Sequence, residues 1–384
     1  MLQLQSKLPN QGVTIFSVMT ELAQRLNALN LAQGFPDFPA PPALLEALCQ
    51  ATMDGHNQYS AGDGVLALRE QMAQQFLQRD ALQLDPISEI SITSGATIAI
   101  FCAIQACVHT DDEVIIFDPS YDSYAPAVRL AGGTSIHINL PAPSFQVDWQ
   151  KVKDSINSKT RMIIVNTPHN PTGAVWSQQD WQQLITLIQA HNIIVLSDEV
   201  YEHLVFDGQQ HYSALQFPEL RERSLVIGSF GKSHHVTGWK TGYCVAAAPL
   251  MQLFRQVYQF ANFCGTTPCQ IALASYMQQH PEHVQQLPQF YQAKRDVFNA
   301  QLVNSRFTFT PTQGTYFQSL DYSAIRPDLT DIEMCHWLAE QHKIVAIPLS
   351  AFYQQAPASL KLLRFCFAKT DQTLHRAGEI LSQC

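Results

Sequence analysis

From Val65 to Arg79 the apolar residues Val65, Leu68, Met72 and Phe76 recur at the spacing of a helix with one buried face. Past that helix the pattern changes to short apolar runs that end in polar residues or glycine: Ile90–Thr93, Glu113–Phe117, Met162–Val165, Ile193–Leu196 and Leu225–Gly228. Runs of this length and character predict strands buried on both faces. Between them, Thr97–Val108 and Trp181–Ala190 read as helices, and Ser177 three residues ahead of Asp180 predicts a capping box at the start of the second. Buried strands alternating with helices predict an α/β fold, with a mainly parallel central sheet flanked by helices.

The flanks read differently. The segment Phe35-Pro36-Asp37-Phe38-Pro39-Ala40-Pro41-Pro42 predicts an extended stretch ahead of a helix near Ala43–Met53. Beyond about Pro281, a long helix over His283–Leu302, a strand at Leu362–Phe367 and a last helix at Thr373–Gln383 predict a smaller α+β domain. The expected division is an N-terminal segment (1–42) shared between small domain and active site, a large domain (43–280) and a C-terminal small domain (281–384).

Composition narrows the function classes. Hydrophobic residues make up 46% and charged residues 14%, which suits a chain with a substantial core and excludes disorder. A formal net charge of -9, with no run of lysine or arginine, lacks the footprint of a nucleic-acid binder. The nine cysteines are scattered without C-x-x-C spacing, so no zinc or disulfide framework is expected and a reducing compartment is. Residues 1–16 do not read as a secretory signal, and no apolar stretch reaches the roughly 20 residues of a membrane span. A cytoplasmic location is expected, without membrane or nucleic-acid partners.

Ligands in open α/β sheets gather beyond the carboxyl ends of the strands, and the chemistry-bearing residues fall there. The first strand runs into Ser94-Gly95-Ala96-Thr97, small residues that leave helix-start N–H groups open to an anion. The next ends near Tyr121, which is either a ring for a planar ligand to lie on or a packing tyrosine. Asn170, in Asn166-Thr167-Pro168-His169-Asn170-Pro171-Thr172-Gly173, either donates to a ligand oxygen or shapes the loop. Asp198, in Ser197-Asp198-Glu199-Val200-Tyr201, is a carboxylate just past a buried strand and needs a cationic partner; Tyr201 could aim at the same ligand. Lys232 closes Ser229-Phe230-Gly231-Lys232, where desolvation among cations turns a lysine into a nucleophile toward carbonyls.

In this order and spacing, Asn170-Pro171-Thr172-Gly173, Ser197-Asp198-Glu199-Val200-Tyr201, Ser229-Phe230-Gly231-Lys232 and Gly238-Trp239-Lys240-Thr241-Gly242 carry a resemblance. The chain resembles the class I/II aminotransferases of pyridoxal-phosphate (PLP) fold type I over nearly its whole length. The resemblance implies PLP as cofactor, with Lys232 as the Schiff-base lysine that moves the proton between substrate and cofactor. It implies Asp198 as partner of the pyridinium nitrogen, Tyr201 and Asn170 as donors to the phenolic oxygen, and Tyr121 stacked on the ring. Gly95, Ala96, Thr97, Ser229 and Lys240 would hold the phosphate; much of the wider family has arginine where this chain has Lys240, so charge is kept and the planar fork lost. Tyr59 resembles the tyrosine that reaches the phosphate from the other subunit, which implies a homodimer with shared active sites. Arg364 and Gly34 match the residues that hold the substrate α-carboxylate, Arg364 as a bidentate clamp.

The Gly-Trp-Lys form, the Asn57-Gln58-Tyr59 segment and Arg364-Phe365-Cys366-Phe367 are similar to the kynurenine and glutamine transaminase branch, bacterial methionine aminotransferases most of all. That branch implies an amino acid and a 2-oxo acid as substrates, with methionine and aromatic amino acids as donors. Ile15, Phe16, Phe35 and Phe38 either border an apolar substrate pocket or belong to the core. His169, His234 and His235 read as packing residues, and no metal site is expected. Two alternatives stand beside transamination: β-elimination from cysteine conjugates at the same site, and a non-catalytic ligand sensor on this fold.

Overall fold

The computed structural model describes residues 2, 4–9 and 11–384. Its centre is a seven-stranded sheet of β1 (Ile90–Thr93), β2 (Glu113–Asp118), β3 (Thr134–Asn139), β4 (Thr160–Asn166), β5 (Ile194–Asp198), β6 (Ser224–Ser229) and β7 (Gly242–Ala246). The strand order is β1-β7-β6-β5-β4-β2-β3. Neighbours from β6 to β3 run parallel, while β7 is antiparallel to both β6 and β1. The five predicted runs are β1, β2, β4, β5 and β6, and their burial explains why they were readable. In β4, for example, Met162 and Ile164 face one core cluster and Ile163 and Val165 the other. A strand covered on both faces must be apolar throughout.

The two remaining strands were not predicted. β3 is an edge strand whose Thr134 and Asn139 are exposed, so its apolar signal is diluted. β7 lies inside the sheet but opens on Gly242, because a Cβ there would come within 2.8 Å of the Ala96 backbone nitrogen. That close approach presses β7 against the start of the helix Ala96–Cys107.

That helix and Ala248–Ala261 cover one face of the sheet. The predicted helices are present as Pro42–Met53, Leu66–Asp80, Ala96–Cys107, Gln178–Ile188, His283–Leu302 and Asp371–Leu381, with the Ser177–Asp180 capping box formed. Helices at Ile15–Leu26, Ala248–Ala261 and Thr267–Gln279 add to that set.

A second, three-stranded antiparallel sheet has Leu362–Cys366 at its centre, between Ile347–Pro348 and Phe317–Asp321. The N-terminal segment joins this part of the molecule, since Leu29–Asn30 pairs in parallel with Ile344–Val345. Arg364 therefore sits mid-strand in the small sheet, and its side chain reaches Asn170 beyond the end of β4.

Candidate active site

The carboxyl ends of β4, β5 and β6 open onto a cavity of about 260 Å³. Its walls include Phe16, Gly34, Gly95, Ala96, Thr97, Tyr121, Asn170, Asp198, Tyr201, Ser229, Lys232, Lys240 and Arg364, so most of the residues singled out in the sequence meet in one place. Two do not. Tyr59 is 84% exposed, with its ring edge-on to Phe263. Ile15 is not among the lining residues; it packs, partly buried, against the core, because Phe16 is the residue of that helical turn facing the cavity. Phe35 and Phe38 also fall outside the cavity walls: Phe35 is 45% exposed, and Phe38 packs edge-on against His235 and Phe290.

At one end of the cavity the helix Ala96–Cys107 begins at Gly95, whose φ of 90° is unfavourable for any residue with a Cβ. No side chain caps this helix, so its first N–H groups face the cavity as an anion site. Lys240 supplies positive charge beside it: a Cβ built on Gly95 would lie 3.5 Å from Lys240 Nζ.

Midway, Asp198 ends β5 almost wholly buried. Its carboxylate accepts hydrogen bonds from the Tyr124 hydroxyl and, at 3.3 Å, from the Val200 N–H. Burial raises its pKa from the ordinary 3.8 to about 6, against the pull of those two donors. Asn166, at the end of β4, fixes the neighbouring loop by donating to the Asp198 carbonyl at 2.8 Å and accepting from the Asn170 N–H at 2.8 Å.

Lys232 follows β6 in the short helix Phe230–Ser233. Its amine donates to the Tyr316 hydroxyl at 2.9 Å and lies 3.4 Å from the Gly34 carbonyl oxygen. Burial first, then the nearby charges of Arg364 and Lys240, lower its pKa from 10.5 to about 8. A neutral amine is thus accessible near physiological pH, and a neutral amine is a nucleophile and a base.

At the far end, Arg364 is 1% exposed and has no carboxylate partner among the described residues. It donates to Asn170 Oδ1 at 2.7 Å and to the Ala32 carbonyl at 3.1 Å, and its Nε has no partner. The guanidinium lies 3.8 Å from the Phe317 ring centre, with Phe352 and Phe16 beyond. Burial lowers its pKa to about 10. An arginine held in an apolar cage with unspent donors is a ready site for a planar carboxylate.

Tyr124, Tyr316, Phe317 and Gln33 belong to the site or its support but carried no signal in the sequence. Gln33 holds the first turn of the helix Ile15–Leu26, donating to the Phe16 carbonyl at 3.2 Å and to the Thr20 hydroxyl. Tyr124 lies three residues after Tyr121, one helical turn on, and that spacing was the one available clue.

Comparison with known proteins agrees with this geometry. Residues 27–381 match the family model for aminotransferase class I and II. The chain is 49% identical to the methionine aminotransferase of Escherichia coli (strain K12), over 99% of this chain and 98% of that one. It is 35% identical to the human kynurenine–oxoglutarate transaminase 3, over 94% of this chain and 86% of that protein. The crystal structure of YbdL from Escherichia coli, identified with a methionine aminotransferase function, superimposes with a TM-score of 0.97 at 49% identity, all of each chain being covered. The α/β fold, the lysine and arginine of one cavity and the match across residues 27–381 have a single explanation: the chain belongs to the class I and II aminotransferase family.

Proposed function

We propose that this chain is a PLP-dependent aminotransferase that takes the amino group of methionine, and of aromatic amino acids or kynurenine, and gives it to a 2-oxo acid. The observation that carries the reading is the pairing, in one cavity, of the desolvated Lys232 with a buried Arg364 whose Nε is unspent. The two side chains stand ready for the two ends of an α-amino acid.

The residues present fit PLP. The uncapped helix start at Gly95-Ala96-Thr97, with Ser229 and Lys240, suits a phosphate. Asp198 is a buried carboxylate without a cationic partner, as a ring N–H would require. Tyr201 and Asn170 would face the ring's phenolic oxygen, and Tyr121 its face. Bound there, the cofactor supplies an electron sink for the carbon that loses its proton. Arg364, with Gly34 and Asn170, would hold the α-carboxylate and so orient the Cα–H bond; Lys232 Nζ would take that proton and return it at C4′ of the cofactor.

Substrate preference follows from charge. The lining cations are Lys232, Lys240 and Arg364, all committed by this reading, which leaves none for a side-chain carboxylate. Phe16, Phe317, Ile100 and Val200 offer apolar wall instead, suited to methionine and aromatic side chains. Similarity to the methionine aminotransferase of Escherichia coli points the same way.

The proposal extends to the assembly. Tyr59 is highly exposed beside Phe263, as suits a residue that completes a partner's phosphate site in a homodimer. The division at 42/43 and 280/281 is supported by the pairing of Leu29–Asn30 with Ile344–Val345, which ties the first segment to the last. A cytoplasmic location is supported by nine unpaired cysteines; among the described residues no helix is long and apolar enough to cross a membrane.

The test is to incubate the purified chain with methionine and a 2-oxo acid and measure the new amino acid formed. A panel of donors should rank methionine and aromatic amino acids above aspartate. Much faster release of pyruvate and ammonia from a cysteine conjugate would make β-elimination the main activity instead.

A further inference from the structure

Tyr316 is the residue in direct contact with the Lys232 amine that no motif identified. It precedes the strand Phe317–Asp321 and is fully buried. Its ring is wedged edge-on against Tyr201 at 5.1 Å and Phe317 at 4.9 Å, with Tyr291 at 5.8 Å. The hydroxyl lies 2.5 Å from the Gly34 carbonyl oxygen and 2.9 Å from Lys232 Nζ.

Counting protons orients this triangle. A phenol has one proton, and a carbonyl oxygen can only accept, so the Tyr316 proton points at Gly34. Burial keeps the Tyr316 pKa well above the ordinary 10, so the phenol remains protonated. Toward Lys232 the Tyr316 oxygen can therefore only accept. A neutral amine has two N–H bonds and one lone pair. The Tyr316 and Gly34 oxygens, only 2.5 Å apart, lie in nearly the same direction from Nζ, so a single N–H serves both, donating to Tyr316 at 2.9 Å with the Gly34 oxygen 3.4 Å away. The second N–H and the lone pair are left on the side of the cavity that Lys232 lines.

We infer that Tyr316 is a catalytic residue: the dock that receives the free Lys232 amine and keeps its lone pair on the cavity side, where the substrate Cα–H bond would lie. The inference rests on the proposed chemistry at Lys232. In the proton step, Lys232 Nζ forms a new N–H bond with the substrate's α-hydrogen. The electrons of the broken C–H bond stay with the substrate side, and the ammonium would later release a proton toward C4′, the electrons of that N–H bond returning to Nζ as its lone pair. Through both halves Tyr316 and the Gly34 carbonyl hold one N–H between them, so the amine does not swing away between taking and releasing the proton. The dock is specific because Tyr316 cannot rotate: its ring is enclosed by Tyr201, Phe317 and Tyr291.

Tyr316→Phe removes the oxygen and keeps the ring. Bound cofactor and its resting absorbance are expected to stay close to wild type. The half-reaction with methionine should slow about 10- to 100-fold, the upper end being the cost of misplacing a catalytic group by about 1 Å. KM should change little, and the isotope effect with Cα-deuterated methionine should rise. A cofactor-independent measurement accompanies it: reductive methylation of the full chain stripped of cofactor, with the Lys232 peptide quantified by mass spectrometry. Methylation of Lys232 should slow several-fold, because the lone pair is no longer held toward the cavity. Tyr291→Phe is the control, since its hydroxyl is buried without a partner in the same aromatic cluster. It should leave all of these readouts at wild-type values. Wild-type methylation and an unchanged isotope effect in Tyr316→Phe overturn the dock while leaving the proposed function intact. Turnover by Lys232→Ala would overturn the proposed function, and the dock with it.

Discussion

Two buried polar clusters meet along one five-residue stretch, and they are built in opposite ways. Asp198 and Tyr201 face the cavity, whereas Glu199 and Glu202 turn to the other side of the same chain. Behind, every carboxylate oxygen is occupied. Glu199 accepts from Ser197 Oγ at 2.7 Å, from the Ala214 N–H at 3.0 Å, and pairs with His211 at 2.9 Å. Glu202 binds Arg79 at 2.5 Å and accepts from the Tyr243 hydroxyl. In front, among the described residues, Arg364 has a free Nε, Lys232 has no acidic partner and Asp198 no cation. The two carboxylates register the difference. Burial pushes both upward, but Arg79, His203 and Tyr243 pull Glu202 down to about 2, while Asp198 is left at about 6. A cluster whose carboxylates are paired is structure, even with His211 Nδ1 left without a partner, and one whose charges stand unpaired is capacity for a ligand.

The comparison can be broken most severely at Lys232. Lys232→Ala should lower turnover by roughly 10²- to 10⁴-fold or more while the fold survives, as circular dichroism would verify. Covalent retention of cofactor after borohydride treatment should vanish as well. In the rear cluster, Glu202→Gln should act on stability instead. Removing one partner of a buried pair costs roughly 3–5 kcal/mol, and Asp80, still bound to Arg79, keeps the loss near the lower end. Chemical denaturation would measure it, with turnover of the folded enzyme little altered. Arg364→Lys keeps the charge but loses the fork. The forfeited charge-assisted hydrogen bond, worth roughly 1.5–3 kcal/mol, should lower kcat/KM for methionine about 10- to 100-fold.

The pH dependence sharpens the contrast with the smallest effect, because the two carboxylates carry opposite signs. Glu202 is lowered on folding, so its stabilisation is present above the unfolded value of 4.5 and is lost as pH falls toward about 2. Asp198 is raised, so its contribution is complete below 3.8 and is lost as pH rises through about 6. In the cofactor-free chain, Asp198→Asn should remove a decline in stability between about pH 4 and 6, and Glu202→Gln a decline below about pH 4.5. Equal pH profiles for the two variants would show that the clusters do not differ as described.

Much of the frame was legible because local rules impose it. β2, β4, β5 and β6 carry unbroken apolar runs, and β1 places Ile90 and Ile92 between buried Ser91 and Thr93, since core clusters cover both faces of the sheet. The Ser177 capping box announced its helix because its bonds span three residues. Strands that break those rules were missed. β3 exposes polar residues at the sheet edge, and β7 begins with a glycine demanded by the helix start pressed against it. Within the site, Lys232, Asp198, Asn170 and Gly95 were readable as strand ends of one sheet. Tyr316 and Phe317 were not, because they come from an element whose place beside Lys232 depends on how a second sheet packs on the first.

The order of strands and helices, the chemistry at each strand end and the net negative charge follow from residue types and their spacing, since burial and helix periodicity act over a few residues. Convergence does not. Lys232 meets Gly34 across 198 residues of chain, and Arg364 meets Asn170 across 194. Strand order and sheet packing bring such pairs together, and no local period encodes them. Whether a buried charge finds a partner is decided there too. Asp198 at the end of β5 and Glu202 in the turn that follows are carboxylates four residues apart, and only their tertiary neighbours make one a closed ion pair and the other an open site.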